Sequence, residues 1–298
     1  MRLGRSTADW AKDIRVDQPG VIAPWVSRVS NSMLYPLVRL LFRARLRGME
    51  HLPNGKPFLL VANHSAGAGI AEIMCFIALY LRHAGSQRRL AGFALPQGFS
   101  VFPLSRLLRS IGAIPSTYDA AQQTLGQGVP ILIFPGGDHE TMRPVWQANR
   151  VDFGGRTGFL KIAHDAGVPI VPLGIHGSHY TCPVFLRAQW LAWLLVVPRL
   201  IGLKRWGVSL TGLLGAAAIF ACVPLAIEWR ALIVWLWLGS PLVFLPIVPW
   251  RITMTIGTPI EPEQLFDGTD DLPVALKQVE QAVERLMLDG KSTSEASF

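Results

Sequence analysis

Residues 186–250 constrain this chain more than any other segment. Only Arg187, Arg199, Lys204, Arg205, Glu228 and Arg230 carry charge there. Residues 206–227 and 231–250 are uncharged runs of 22 and 20 residues. As helices, each would be about 30 Å long, the hydrocarbon thickness of a bilayer. Pro241, Pro246 and Pro249 disfavour a straight second span. Two geometries therefore stay open: a hairpin that crosses a membrane, and one that is re-entrant or lies in its plane. Glu228, Trp229 and Arg230 form the tip in either.

The remaining composition agrees. Half of the 298 residues are hydrophobic and 16% are charged, against roughly a quarter charged in ordinary soluble domains. Mean hydropathy is +0.34. Disorder and collagen-like repeats are excluded. Cys75, Cys182 and Cys222 are too few and too scattered for a disulfide framework, and a reducing compartment is expected. The net charge is +8, with +6 in residues 1–47 and −6 in residues 257–298. The basic residues sit among Leu, Val, Phe and Trp, which suits anionic lipid headgroups better than nucleic acid. Arg199, Lys204, Arg205 and Arg251 flank the base of the apolar insert, whereas only Arg230 lies at its tip. By the positive-inside tendency the protein is expected at the cell membrane with its globular part on the cytoplasmic side.

Five segments are expected. Residues 1–24 read as a mobile arm without the apolar core of a signal peptide. Residues 25–50 read as a membrane-interface helix, split by Pro36, with Arg39 and Arg43 one turn apart on a basic face. Residues 51–185 alternate short apolar runs (58–62, 90–94, 130–134, 169–175) with helical patterns near 70–83, 104–110, 118–126 and 156–166. The apolar insert follows as residues 186–250. Residues 251–298 add an alternating strand and an amphipathic helix over 272–288, started by Asp271 and Pro273 and stopped near Gly290. The fold class is α/β: a mixed sheet flanked by helices, with an N-terminal amphipathic helix and a hydrophobic hairpin inserted before the last strand.

Three motifs could carry chemistry. Asn63-His64 follows an apolar strand and precedes four small residues, so an imidazole able to take a proton sits at the sheet's edge with room for a ligand. Phe134-Pro135-Gly136-Gly137 ends another strand and leads to Glu140; backbone N–H groups at Gly136 and Gly137 could face a developing oxyanion. Arg156 and Lys161 lie near a helix start, where phosphate could be held. His176, His179 and Cys182 lack the further ligands a zinc site needs, so no metal is expected. No Gly-x-Ser-x-Gly elbow, Walker loop or Rossmann glycine pattern occurs.

The order of these motifs, ending in Val168-Pro-Ile-Val-Pro172, resembles the glycerolipid acyltransferase superfamily typified by lysophosphatidic acid acyltransferase. The Phe-Pro-Gly-Gly-x-x-Glu form looks more like its diacylglycerol and monoacylglycerol acyltransferase side. The resemblance covers about residues 40–183 and 251–288. It implies a membrane-bound enzyme that moves a fatty acyl group from acyl-CoA or acyl carrier protein to a lipid hydroxyl, with no cofactor. His64 would be the general base.

Two departures bear on that expectation. The family's His-x4-Asp has Gly69 at the Asp position. Glu72 is the only charge between Gly69 and Arg82, and we expect it to orient His64 instead. The family's Phe-Pro-Glu-Gly-Thr-Arg becomes Phe-Pro-Gly-Gly-Asp-His, and Gly112-Ala-Ile-Pro-Ser-Thr117 lacks the Arg of a second motif. Both losses favour a neutral acceptor over a glycerol phosphate. Glu140 is expected to brace its loop, and Asn63, Arg143, Arg156 and Lys161 to contact substrate. The alternatives are an inactive acyltransferase-like protein that binds lipid or acyl-CoA, and a lysophospholipid acyltransferase. Oligomeric state is not legible.

Overall fold

The computed structural model describes residues 16–266 and 271–295, with side chains as far as Ser292. Residues 1–15 of the expected arm lie outside them. The strands are β1 (Arg45–Arg47), β2 (Leu59–Ala62), β3 (Ala91–Ala94), β4 (Ile114–Pro115), β5 (Ile131–Ile133), β6 (Ile170–His176), β7 (Val184–Ala188), β8 (Trp206–Ser209) and β9 (Thr253–Ile256). Seven of them form one sheet in the order β1-β9-β6-β2-β5-β3-β4, and β7 and β8 pair separately as an antiparallel ribbon. Within the large sheet only the β6–β9 pairing is antiparallel.

The helices are α1 (Pro24–Val29), α2 (Tyr35–Leu41), α3 (Ala66–Ala84), α4 (Leu104–Ser110), α5 (Tyr118–Gly126), α6 (Gly137–Thr141), α7 (Gly158–Ala166), α8 (Gln189–Leu194), α9 (Val197–Leu200), α10 (Leu210–Cys222), α11 (Ile227–Gly239), α12 (Pro262–Leu265) and α13 (Leu272–Glu295). Strand β2 is wholly buried, as the centre of a parallel sheet covered on both faces must be. Its side chains alternate between two cores. Leu59 and Val61 join Phe159, Leu160 and Val279 of α7 and α13. Leu60 and Ala62 join Val38 of α2 and Ala71, Cys75 and Phe76 of α3. The sheet is therefore a three-layer sandwich, and the expected strands and helices of 51–185 fall within a few residues of their observed bounds.

The N-terminal expectation needs correction. The helix does not continue through residues 37–47. It ends at Leu41, Arg39 donates to the carbonyl of Ala44 (2.9 Å), and Arg45–Arg47 enters the sheet beside β9. Arg45-Leu46-Arg47 has the two-residue period of an edge strand, and only Leu46 is buried. Upstream, α1 and α2 are joined by a π-helical turn, Ser30–Leu34, directly before Pro36, whose missing N–H interrupts the helical ladder. Trp25, Val29, Met33, Leu37 and Leu40 remain exposed at three- and four-residue spacing, an apolar stripe along one face.

The insert is also shorter in its helices than its composition implied. Both α10 and α11 have 13 residues, about 20 Å, too short to span about 30 Å of hydrocarbon. Residues at each end are used otherwise. Trp206 is buried in β8 and donates Nε1–H to the carbonyl of Leu238 (2.7 Å). Ser209 caps α10 by accepting from Gly212, and Thr211 donates to the carbonyl of Leu245 (2.8 Å). The tip falls at residues 223–226, and Glu228 and Arg230 belong to the first turn of α11. Among the described residues one helix, α3, is long and apolar enough to cross a membrane, and most of it is buried in the domain.

The chain returns to the sheet through β9 and closes with α13. Gly290, expected to end that helix, lies inside it and packs on His176 and Thr253. Gly174 of β6 serves the same contact: a β-carbon there would meet the backbone nitrogen of Met287 and come within 2.6 Å of Leu286 Cβ. Gly174→Val is expected to lower the unfolding free energy by about 3 kcal/mol in denaturant titration.

Candidate active site

Strands β2, β3 and β5 are parallel, so the segments that leave their carboxyl ends gather at one edge of the sheet. His64 follows β2 there. Its ring stacks on Phe134, which follows β5, with centroids 4.4 Å apart. Its side chain is about one-seventh exposed, at 14%.

Glu72, fully buried on α3, meets His64 in a hydrogen bond between Oε1 and Nδ1. The same carboxylate accepts from the backbone of Ser65 (3.1 Å) and from its hydroxyl (2.6 Å), and Ser65 Oγ in turn bonds Ser178 Oγ. Burial of a carboxylate is tolerated only with such a set of donors. The start of α3 is shaped for the pairing. Ala66, Gly67 and Gly69 have positive φ of 56°, 71° and 65°, and regular helix follows from Ile70. A β-carbon at Gly69 would collide with Cε1 of the His64 ring and lie 2.9 Å from Glu72 Oε1. The position where the family pattern has Asp is thus the space through which Glu72, almost one turn on, reaches the imidazole.

A second buried carboxylate holds the main chain of the same residue. Glu140 Oε2 accepts from the backbone N–H of His64 (3.0 Å), and Oε1 accepts from that of Asp152 (3.3 Å). Arg143, itself buried, approaches Glu140 Oε1 at 3.5 Å. Burial pushes the Glu140 carboxyl up to about 8, against the pull of Arg143 and of the His64 and Asp152 N–H groups; neighbouring Glu72 adds to the rise. Burial likewise holds His179, also fully enclosed, well below the ordinary histidine range.

The other expected site residues are placed differently. Asn63 is turned into the fold: its buried amide donates to the carbonyl of Ile175 (2.9 Å) and accepts from its N–H (2.7 Å), locking the β2 end to β6. The Gly137 N–H is directed to the carbonyl of Phe134 (3.2 Å) within the turn. Gly136 makes room for Glu140, whose Cδ lies 2.9 Å from where a β-carbon would stand. Arg156 is engaged with the carbonyls of Pro135 (3.1 Å) and Gly136 (2.7 Å) and with Asp138 (2.6 Å), so it braces the loop. Lys161 stands apart on the outer face of α7, over the Tyr118 ring. Arg143 is enclosed with Glu140 and does not face outward. Ser65, Phe134, Ser178 and His179 belong to the site neighbourhood and were not singled out for it. A serine beside a histidine is too common to mark one, and His176-Gly-Ser-His179 was weighed only as a metal site.

Comparison with known proteins agrees with this geometry. Residues 43–176 match the family model described as Acyltransferase. An uncharacterized protein of Mycobacterium tuberculosis is 27% identical over 218 residues, 73% of this chain and 58% of its own length. A Bos taurus protein called "DGAT1/2-independent enzyme synthesizing storage lipids" is 33% identical over 132 residues, 43% of this chain and 37% of that protein. The fold is similar to the crystal structure of the 1-acyl-sn-glycerophosphate acyltransferase PlsC from Thermotoga maritima, with a TM-score of 0.50, 18% identity and coverage of 89% and 80% of the two chains. The family match and the likeness in fold agree on an acyltransferase-like domain. This chain is similar to the acyltransferase family over residues 43–176, a little under half of its length. It spans little more than half the length of the mycobacterial relatives.

Two outcomes follow. Gly69→Asp restores the family's acid but not the pairing, because the added β-carbon occupies the ring's space; it is expected not to rescue Glu72→Ala in a turnover assay. Glu140 binds a proton in the folded state over a range where the unfolded chain has lost it. Stability should therefore decline as pH rises from about 4.5 toward about 8, by at most about 1.4 kcal/mol per unit, and Glu140→Gln should flatten that decline in denaturant titrations.

Proposed function

We propose that this protein transfers a fatty acyl group from an acyl thioester, acyl-CoA or acyl carrier protein, to the hydroxyl of a lipid at a membrane surface. The carrying observation is the His64–Glu72 pair, a partly exposed imidazole whose Nδ1 is bonded to a buried carboxylate. With Nδ1–H donated to Glu72, Nε2 keeps the lone pair. Nε2 takes the proton of the acceptor hydroxyl as its oxygen attacks the thioester carbonyl. The tetrahedral intermediate collapses, the thiolate leaves, and it recovers that proton from the imidazolium. Glu72 fixes the tautomer and stabilises the cation, the role of the acid in a triad. Glu140 positions the His64 backbone. No acyl-enzyme and no cofactor enter the sequence of steps.

A neutral acceptor is the reading that the polar residues support. Arg143 is enclosed beside Glu140, Arg156 is engaged with the loop, and Lys161 is exposed over the Tyr118 ring. The bovine relative's name, which speaks of storage lipids, points the same way. The N-terminal stripe and the exposed Trp190, Trp193, Leu214 and Trp229 of the insert fit a membrane-bound protein that does not span the bilayer. The basic insert base fits attraction to an anionic cytoplasmic leaflet.

The test is turnover. Detergent-purified protein with long-chain acyl-CoA and a panel of diacylglycerol, monoacylglycerol, long-chain alcohol and lysophospholipids should release CoA and acylate a neutral member. His64→Ala should lower kcat by about 10²-fold or more. Exclusive use of phosphorylated acceptors would overturn the neutral-acceptor reading. Binding of acyl-CoA without release, unchanged in His64→Ala, would overturn the enzyme reading.

A further inference from the structure

Between β3 and β4 the chain exposes an apolar surface that neither the N-terminal helix nor the insert accounts for. Leu95, Val101, Phe102, Leu104 and Leu107 are all exposed, Phe102 at 77%. Burying such side chains inside the domain would have cost nothing in polar contacts, so their outward display is the feature that needs a partner.

The segment is continuous with the other two apolar surfaces. At the carboxyl end of α4, the N–H of Ala23 bonds the carbonyl of Ser110 and that of Gly20 bonds the carbonyl of Gly112, both 2.9 Å, which seats the start of α1 beside it. At the other side Gln97 packs against Gly202, in the loop that follows α9 of the insert. The segment also leaves the sheet at the edge from which His64 and Phe134 issue, because β2, β3 and β5 are parallel.

Charge selects the occupant. Residues 73–118 contain no Asp or Glu and hold Arg82, Arg88, Arg89, Arg106 and Arg109. Arg106 and Arg109 are exposed on α4 beside Leu104 and Leu107. Asp17 lines a cleft with Arg109, but the crest itself carries guanidinium groups and no acid, which matches the acyl boundary and headgroups of an anionic bilayer.

We infer that residues 95–107 form a third bilayer-contact element of this chain. The inference rests on the membrane reading proposed above and adds a contact element that leaves the sheet at the edge carrying His64.

Flotation of the full chain with phosphatidylcholine vesicles, with and without phosphatidylglycerol, tests it. The wild type should bind more tightly to the phosphatidylglycerol vesicles. Phe102→Glu/Leu107→Glu should bind at least about tenfold more weakly. Val274→Glu, at an exposed position of α13, should bind as the wild type does. Hydrogen exchange of the unmutated protein removes any dependence on the variant's folding: amides of 98–110 should be slowed by vesicles while those of 118–126 are not. A wild type that floats, with the double variant floating equally and no slowing at 98–110, would overturn this inference and leave the membrane reading standing. A wild type that floats with neither vesicle would overturn both.

Discussion

Two fully buried carboxylates grip one histidine, and the architecture at this sheet edge exists to make that possible. Glu72 holds the His64 ring, and Glu140 holds its backbone. A buried carboxyl group left without partners costs several kcal/mol when it ionises. The compensation is spread along the chain: Ser65 donates to Glu72, the backbones of His64 and Asp152 donate to Glu140, Ser178 braces the Ser65 hydroxyl, and Arg143 brings its charge within 3.5 Å of Glu140. Glycine supplies the space in both cases. Gly69 yields room to the ring, and Gly136 yields it to Glu140. Loss of one carboxylate would strand its donors, so the two halves of the grip are energetically tied to the loops that frame the pocket.

The insert is tied to the same edge. Phe244 lies fully buried against Gly67, whose positive φ belongs to the left-handed start of α3. Ala66 shares a core with Met142, Val184, Trp206 and Phe244. Residues after the histidine thus pack directly on the apolar insert, while its helices leave Leu213, Leu214, Leu232 and Leu236 exposed. The exposed apolar surface of the insert and the loop that places His64 share one set of packed side chains.

Much of this was legible in the sequence. Strands β2, β3, β5 and β6 are short apolar runs between turn residues, and each appears within a few residues of its expected place. Glu72 was legible because a lone acid in an apolar helix has to find partners. Other residues were not. Asn63 and Arg156 look like ligand contacts until their polar atoms are found spent on backbone carbonyls at β6 and at Pro135 and Gly136. Motif spacing carries no record of which donors the fold consumes. The insert was read as two long helices because composition does not separate Trp206–Ser209, a strand anchored by a buried indole, from the helix that follows. Arg45–Arg47 was assigned to a helix because its neighbours Arg39 and Arg43 fit one, although its own period is two.

The central claim is that Glu72 takes the place of the acid absent at position 69 and fixes His64 with its proton on Nδ1. Nitrogen-15 NMR of the histidine-labelled protein measures this directly. The account predicts that the His64 ring shows a protonated Nδ1 and an unprotonated Nε2 at neutral pH, with the downfield Nδ1–H signal lost in Glu72→Gln. A His64 ring protonated at Nε2 alone, or a spectrum unchanged by Glu72→Gln, would contradict it.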